Sequence, residues 1–124
     1  MRYAILLHYP EPGATLRLDD ATMKAGEAAF ASYAASLHDA GILRFAEVLQ
    51  TSTRTTTLRP EQGMVVAHPS PRVDAPEQLG AVFVIEVDDE DAAEAWARQA
   101  PSAQWGAIEI RPTATHVVDG AWVA

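Results

Sequence analysis

The chain of 124 residues contains no cysteine, which excludes disulfides, thiolate metal ligands and thiol nucleophiles. Lysine is almost as scarce: Lys24 is the only one, and the arginines are dispersed rather than clustered. With 9 basic against 17 acidic residues and a formal net charge of −8, the chain repels phosphate backbones, so no nucleic-acid partner is expected. Long apolar runs are missing as well. Residues 4–7 are too short a run for a signal-peptide core, and nothing approaches the ~20 apolar residues of a membrane span. No membrane association is expected, and the cytoplasm is the expected location. Neither a GxGxxG, Walker or zinc motif nor a nucleophile elbow occurs, and the histidines lack metal-ligand spacing, so no cofactor and no metal is expected.

What is present fits one domain, residues 1–124, with a core over 1–113 and a C-terminal extension over 114–124. A domain of this size buries roughly two-thirds of the surface of its unfolded chain, enough for an ordinary hydrophobic core. Residues 79–112 organise the rest. Ala81-Val82-Phe83-Val84-Ile85-Glu86-Val87 is a β-branched and aromatic run that reads as a largely buried strand. A helix is expected to follow at once, capped by Asp88 with Asp91 in capping-box spacing, its first turn acidic against the positive end of the dipole. Ala92, Ala93, Trp96, Ala97 and Ala100 recur at helical spacing and predict a small-residue stripe carrying a tryptophan knob. Pro101 is expected to end the helix. A polar connection over 102–106 then leads to an alternating strand over 107–111, with Ile108 and Ile110 on one face.

Upstream, residues 2–8 predict a strand apolar on both faces, Tyr3, Ile5 and Leu7 on one and Ala4, Leu6 and His8 on the other, as suits a central position. Pro10-Glu11-Pro12-Gly13 breaks it. A long helix capped by Asp19 or Asp20 is expected to run to about Ala40, with Met23, Phe30 and Leu37 on its apolar stripe, Gly26, Tyr33 and Ala40 interleaved, and Gly41 as C-cap. Residues 42–50 read as a second strand. The threonine-rich 51–58, a turn over 59–63 and a returning strand over 64–67 make a hairpin. Residues 68–76 hold three prolines and read as a stiff loop. In the tail, Asp119-Gly120 is a turn signal between short apolar runs, predicting a small hairpin or a docking arm. The order is strand, helix, strand, inserted hairpin, strand, helix, strand. That is an α+β, ferredoxin-like βαβ-βαβ arrangement with helices on one face of an antiparallel sheet.

Glu77-Gln78-Leu79-Gly80, the strand after it, Glu86-Val87-Asp88-Asp89, Ala95-Trp96-Ala97 and Glu109-Ile110-Arg111-Pro112 together resemble the YCII-related family in its DGPF-containing branch. Arg2-Tyr3-Ala4-Ile5-Leu6-Leu7, the alanine-rich helix and residues 49–57 extend the resemblance to about Thr113. It implies a dimeric α+β barrel, in which the sheet face left bare by the helices is covered by a second copy. Where the family carries Asp-Gly-Pro-Phe, this chain reads Pro69-Ser70-Pro71-Arg72, and where related members carry a histidine on the first helix it places Phe30. Neither partner of the family's proposed His-Asp acid/base pair is present, so no catalytic residue is carried over and enzymatic activity is left undecided.

The residues themselves offer four histidines. His8, at a strand end, can serve as general base or ligand, or be a half-buried histidine held by a hydrogen bond. His38, near a helix C-terminus, suits the dipole. His68, Arg72 and Asp74 share the proline-rich loop, either as an anion or carbonyl site or as solvated turn charges. The candidate pocket is therefore a cleft between His8, Tyr33 and the His68, Arg72 and Asp74 loop. Two functions remain in view: a homodimeric protein that binds, or acts on, a small anionic or carbonyl ligand; and a non-catalytic accessory or regulatory module, since the resemblance links such domains to extracytoplasmic-function sigma factors.

Overall fold

A computed structural model describes residues 1–12 and 17–124. Gly13, the last residue of the expected break after the first strand, lies outside the described residues. The first strand, β1 (Arg2–Tyr9), buries Tyr3, Ile5 and Leu7 and leaves Ala4, Leu6 and His8 half-buried on its other face. The alternation read from the sequence is thus realised, with one extra residue.

Helix α1 (Asp20–Asp39) starts where its cap residue dictates: Asp19 accepts a hydrogen bond from the Thr22 amide at 2.7 Å. The bonds from Thr22 hold the Asp19 carboxyl below its usual pKa. At the other end Gly41 adopts φ +75°. Its amide bonds the His38 carbonyl at 2.8 Å and the Ile42 amide bonds that of Leu37 at 3.1 Å, the paired bonds of a Schellman cap. Only Tyr33 and Leu37 of the expected stripe are buried, Phe30 is half-buried and Met23 is exposed. Phe30 meets Tyr9, the last residue of β1, with ring centroids 6.1 Å apart.

Strand β2 (Leu43–Val48) is followed by a short 3-10 turn, Ser52–Arg54, and by a hairpin of β3 (Thr57–Glu61) and β4 (Met64–His68). The turn proves shorter than expected. Gln62 and Gly63 both take positive φ, 49° and 78°, and such a two-residue turn matches the twist of a hairpin. Arg59, Pro60 and Glu61 are therefore freed to pair with Val66, Val65 and Met64. Pro60 is tolerated because this ribbon has no third strand to receive its missing N–H. His68, expected in the loop, instead closes β4.

Strand β5 (Gln78–Glu86) leads to α2 (Glu90–Ala97), capped by Asp89 rather than Asp88. The Val87 amide still bonds the Met1 carbonyl at 2.9 Å, which prolongs the sheet ladder and delays the helix. The helix stops at Ala97, and Pro101 opens a 3-10 turn, Pro101–Gln104, instead of ending α2. Ser102, read as part of a polar connection, is fully buried in that turn. Strand β6 (Ala107–Pro112) and a terminal hairpin of β7 (His116–Val118) and β8 (Ala121–Val123) complete the chain.

The main sheet has the order β2-β5-β1-β6 with every pairing antiparallel. Tyr33 and Leu37 of α1 and Ala93 and Ala97 of α2 share one core with Ile5, Leu7, Phe83 and Ile85, so both helices cover the same face. This is the α+β, ferredoxin-like fold with an inserted hairpin. On the other face Leu6 stands between Val82 and Glu109, and Ala4 between Val84 and Arg111, with Phe45 opposite Val84. Among the described residues no helix is long and apolar enough to cross a membrane.

Candidate functional site

The loop between β4 and β5 is stiffened by Pro69, Pro71 and Pro76 and stitched from both flanks. From β3, the Thr57 hydroxyl donates to the Ser70 carbonyl at 2.6 Å and Arg59 Nη2 to that of Arg72 at 3.4 Å. From the start of β5, the Gln78 amide nitrogen donates to the carbonyls of Val73 at 2.8 Å and Ala75 at 3.2 Å. Four carbonyls of the loop thereby accept hydrogen bonds from side chains of the strands on either side.

Between this loop and the hairpin lies an open hollow of about 490 Å³ lined by Thr57, Arg59, His68, Ser70, Pro71, Arg72 and Asp74. Two of its lining residues, Arg59 and Arg72, carry guanidinium groups. Among the described residues neither forms an ion pair, and neither does Asp74. His68 is engaged: its Nε2 lies 2.7 Å from Glu61 Oε1 on the partner strand. A second hollow of about 460 Å³ adjoins the first at Asp74, and is lined also by Glu11, Ser52, Ala75, Pro76 and Gln78. Glu11 accepts from the Ser52 amide at 2.8 Å and from its hydroxyl, tying the segment after β1 to the 3-10 turn after β2.

Of the five residues expected to line one cleft, His68, Arg72 and Asp74 come together and His8 and Tyr33 stand apart. His8 is on the bare sheet face, with Nε2 2.7 Å from Glu109 Oε1. Tyr33 is a core residue, 4% exposed, stacked edge-on against Phe83 at 5.1 Å, and its hydroxyl donates to the Trp96 carbonyl at 2.9 Å. Burial pushes its phenol up to about 12, so it stays protonated at neutral pH, with its hydrogen given to the Trp96 carbonyl. Arg59 and Thr57 are the lining residues that sequence reasoning missed, because both fall in a segment read as strand end and turn. Alternation could have found them: from Thr57, every second residue, Arg59 and Glu61, falls on the ribbon face that carries His68.

A separate aromatic cluster sits at the end of β1. Tyr9 meets Phe30 and, edge-on at 5.2 Å, Trp105. Burial and the nearby Glu11 carboxylate raise the Tyr9 phenol above its ordinary value. Phe30 fills its place in this cluster by packing alone. Among the described residues no group of three His, Asp or Glu side chains is arranged to hold a metal ion.

The arrangement at the loop can therefore do one thing well, which is to offer two forked, charge-assisted donors to a carboxylate or phosphate. Residues 1–115 match the family model described as the YCII-related domain. No curated protein matches the chain.

Proposed function

The chain belongs to the YCII-related family, and from that premise we propose that it is a small-molecule-binding protein that takes an anionic ligand at the hollow beside the 68–76 loop. The observation that carries this reading is that two arginines, Arg59 and Arg72, line one hollow with no carboxylate paired to either among the described residues. A guanidinium presents five N–H donors in a fixed fork, and Arg59 spends one on the loop backbone. The rest are free for a ligand. Binding, not turnover, is the role: the positions where the family carries its acid/base pair hold Phe30 and Pro69, and neither side chain can hold and release a proton. We place the chain in the DGPF-containing branch on the combined resemblance of Glu77-Gln78-Leu79-Gly80, Glu86-Val87-Asp88-Asp89, Ala95-Trp96-Ala97 and Glu109-Ile110-Arg111-Pro112, and its active form as a homodimer joined through the bare sheet face of Ala4, Leu6, Val82 and Val84.

The test is paired. Ligand affinity for acetate and inorganic phosphate, and turnover in hydrolase and dehydratase assays, are measured for the parent, Arg72→Ala and His8→Ala proteins. Arg72→Ala is expected to weaken anion binding about tenfold or more, the loss of one charge-assisted contact, His8→Ala to leave it unchanged, and turnover to be negligible throughout. Substantial turnover abolished by His8→Ala would move the site to the sheet face and overturn this reading.

A second reading has an observation of its own. Met64, Val65 and Leu58 on one hairpin and Trp122 on the other are between 65% and 73% exposed, and both hairpins stand outside the main sheet. Exposed apolar ribbons suit an accessory module that docks on a protein, such as an extracytoplasmic-function sigma factor. Co-purification with such a factor, lost on Met64→Lys and Trp122→Lys, would favour it.

A further inference from the structure

The two hollows that meet at Asp74 carry opposite chemistry. On the hairpin side the shared Asp74 stands with two arginines, Arg59 and Arg72, and with His68, already turned to Glu61. On the other side no cationic side chain lines the wall among the described residues: it is built from Glu11, Ser52, Asp74, Ala75, Pro76 and Gln78. Its polar side chains offer acceptors. The Gln78 amide nitrogen faces two carbonyl oxygens, of Val73 and Ala75, and both of its N–H groups are spent there. What remains on that side chain is its oxygen. The Ser52 hydroxyl gives its hydrogen to Glu11, which leaves lone pairs only. Asp74 contributes a carboxylate with no ion-pair partner among the described residues. A donor-rich hollow and an acceptor-only hollow thus share one wall residue, on a loop whose backbone is held in place from both sides.

A simple anion satisfies only half of this. We propose that the adjoining hollows form one site for a small dipolar molecule, an amino acid or an amino-carboxylate of similar size, with its carboxylate at Arg59 and Arg72 and its ammonium at Asp74 and Gln78. A primary ammonium has three donors and no acceptor, the complement of that second wall, whereas a guanidinium fork is the complement of a carboxylate. The pre-formed loop favours such a ligand because little ordering is left to the moment of binding. The inference rests on the anion site proposed above and adds the second group.

The experiment is a calorimetric or NMR titration of the full chain with butanoate, butylammonium and 4-aminobutanoate, extended to amino-carboxylates of two to six carbons. At least one amino-carboxylate is expected to bind ten times or more tightly than the carboxylate of equal length. Asp74→Asn should abolish the gain that the amine gives over the plain carboxylate of equal length and leave the thermal melt unchanged; Arg72→Ala should weaken both ligands. If plain carboxylates bind and an added amine gives no gain at any length, the dipolar site is overturned while the anion site stands. If neither carboxylates nor amino-carboxylates bind, both fall together.

Discussion

The Tyr9 ring occupies the space that a side chain at Gly80 would need: a Cβ built at Gly80 would stand 2.1 Å from Tyr9 Cζ. Gly80 is also where β5 carries an extra residue, since Leu7 pairs with Ala81 and His8 with Leu79. Phe30 and Trp105 hold the ring from two other sides, so it has little room to swing away.

Gly80→Ala should accordingly destabilise the fold by about 1–3 kcal/mol, the usual cost of overpacking. In a Tyr9→Ala background most of that cost should vanish, because the obstructing atoms are the ring itself. Gly106→Ala is the contrast: its Cβ would stand 2.2 Å from the His8 carbonyl oxygen, a backbone atom, and truncating Tyr9 should not relieve it. Denaturant unfolding of the two double-mutant cycles checks both statements. Equal costs at Gly80 with and without Tyr9 would refute the assigned clash.

Phe83 and Trp96 should rank opposite to their size. Phe83 is 2% exposed at the centre of the core, whereas Trp96 is half-buried and packs against its edge, the buried residues of α2 being Ala93 and Ala97. Phe83→Ala is expected to cost about 3–5 kcal/mol and Trp96→Ala roughly half as much. A larger loss at Trp96 by chemical denaturation would contradict this placement.

Alkaline pH should find Tyr33. With its phenol held up to about 12 in the folded chain and near 10 when unfolded, the folded state keeps a proton that the unfolded state releases between those values. The stability linked to Tyr33 is fully present below pH ~10 and is lost as pH rises towards ~12. Tyr33→Phe removes the hydroxyl bond to Trp96 and should cost about 1 kcal/mol at neutral pH. Its stability should then fall less steeply than the parent's over the alkaline window. Parallel stability curves for the two proteins would show that Tyr33 is not the titrating group.

The homodimer proposed through the bare sheet face is tested at Val84, which stands opposite Ala4 and Phe45. Val84→Asp should convert dimer to monomer by light scattering while leaving the circular dichroism spectrum intact, since the side chain points away from the helices. A parent protein that is already monomeric and stable would sink the proposal.

Several features of the fold were legible because their causes are local. Asp19 and Gly41 bound α1 by what a carboxylate and a residue free to take positive φ do to helix ends, and the strand apolar on both faces takes the inner place in the sheet expected of it. Where the reading slipped, a neighbour distant in sequence had intervened. Asp88 lost the cap to Asp89 because Val87 pairs with Met1, and Ser102 is buried by packing that no polar pattern announces.

The sequence by itself determined the order of elements, the ferredoxin-like arrangement and the stiffness of the 68–76 loop, since propensity, period and proline act over a few residues. Only the tertiary structure decided which polar side chains share a space. His8 and Tyr33 belong to strand and helix faces whose orientation follows from sheet pairing and core burial, and that orientation carries one to the bare face and the other into the core. Arg59 reaches Arg72 because a two-residue turn sets the register of the hairpin, and register, a relation between strands, is what brings separated charges to one hollow.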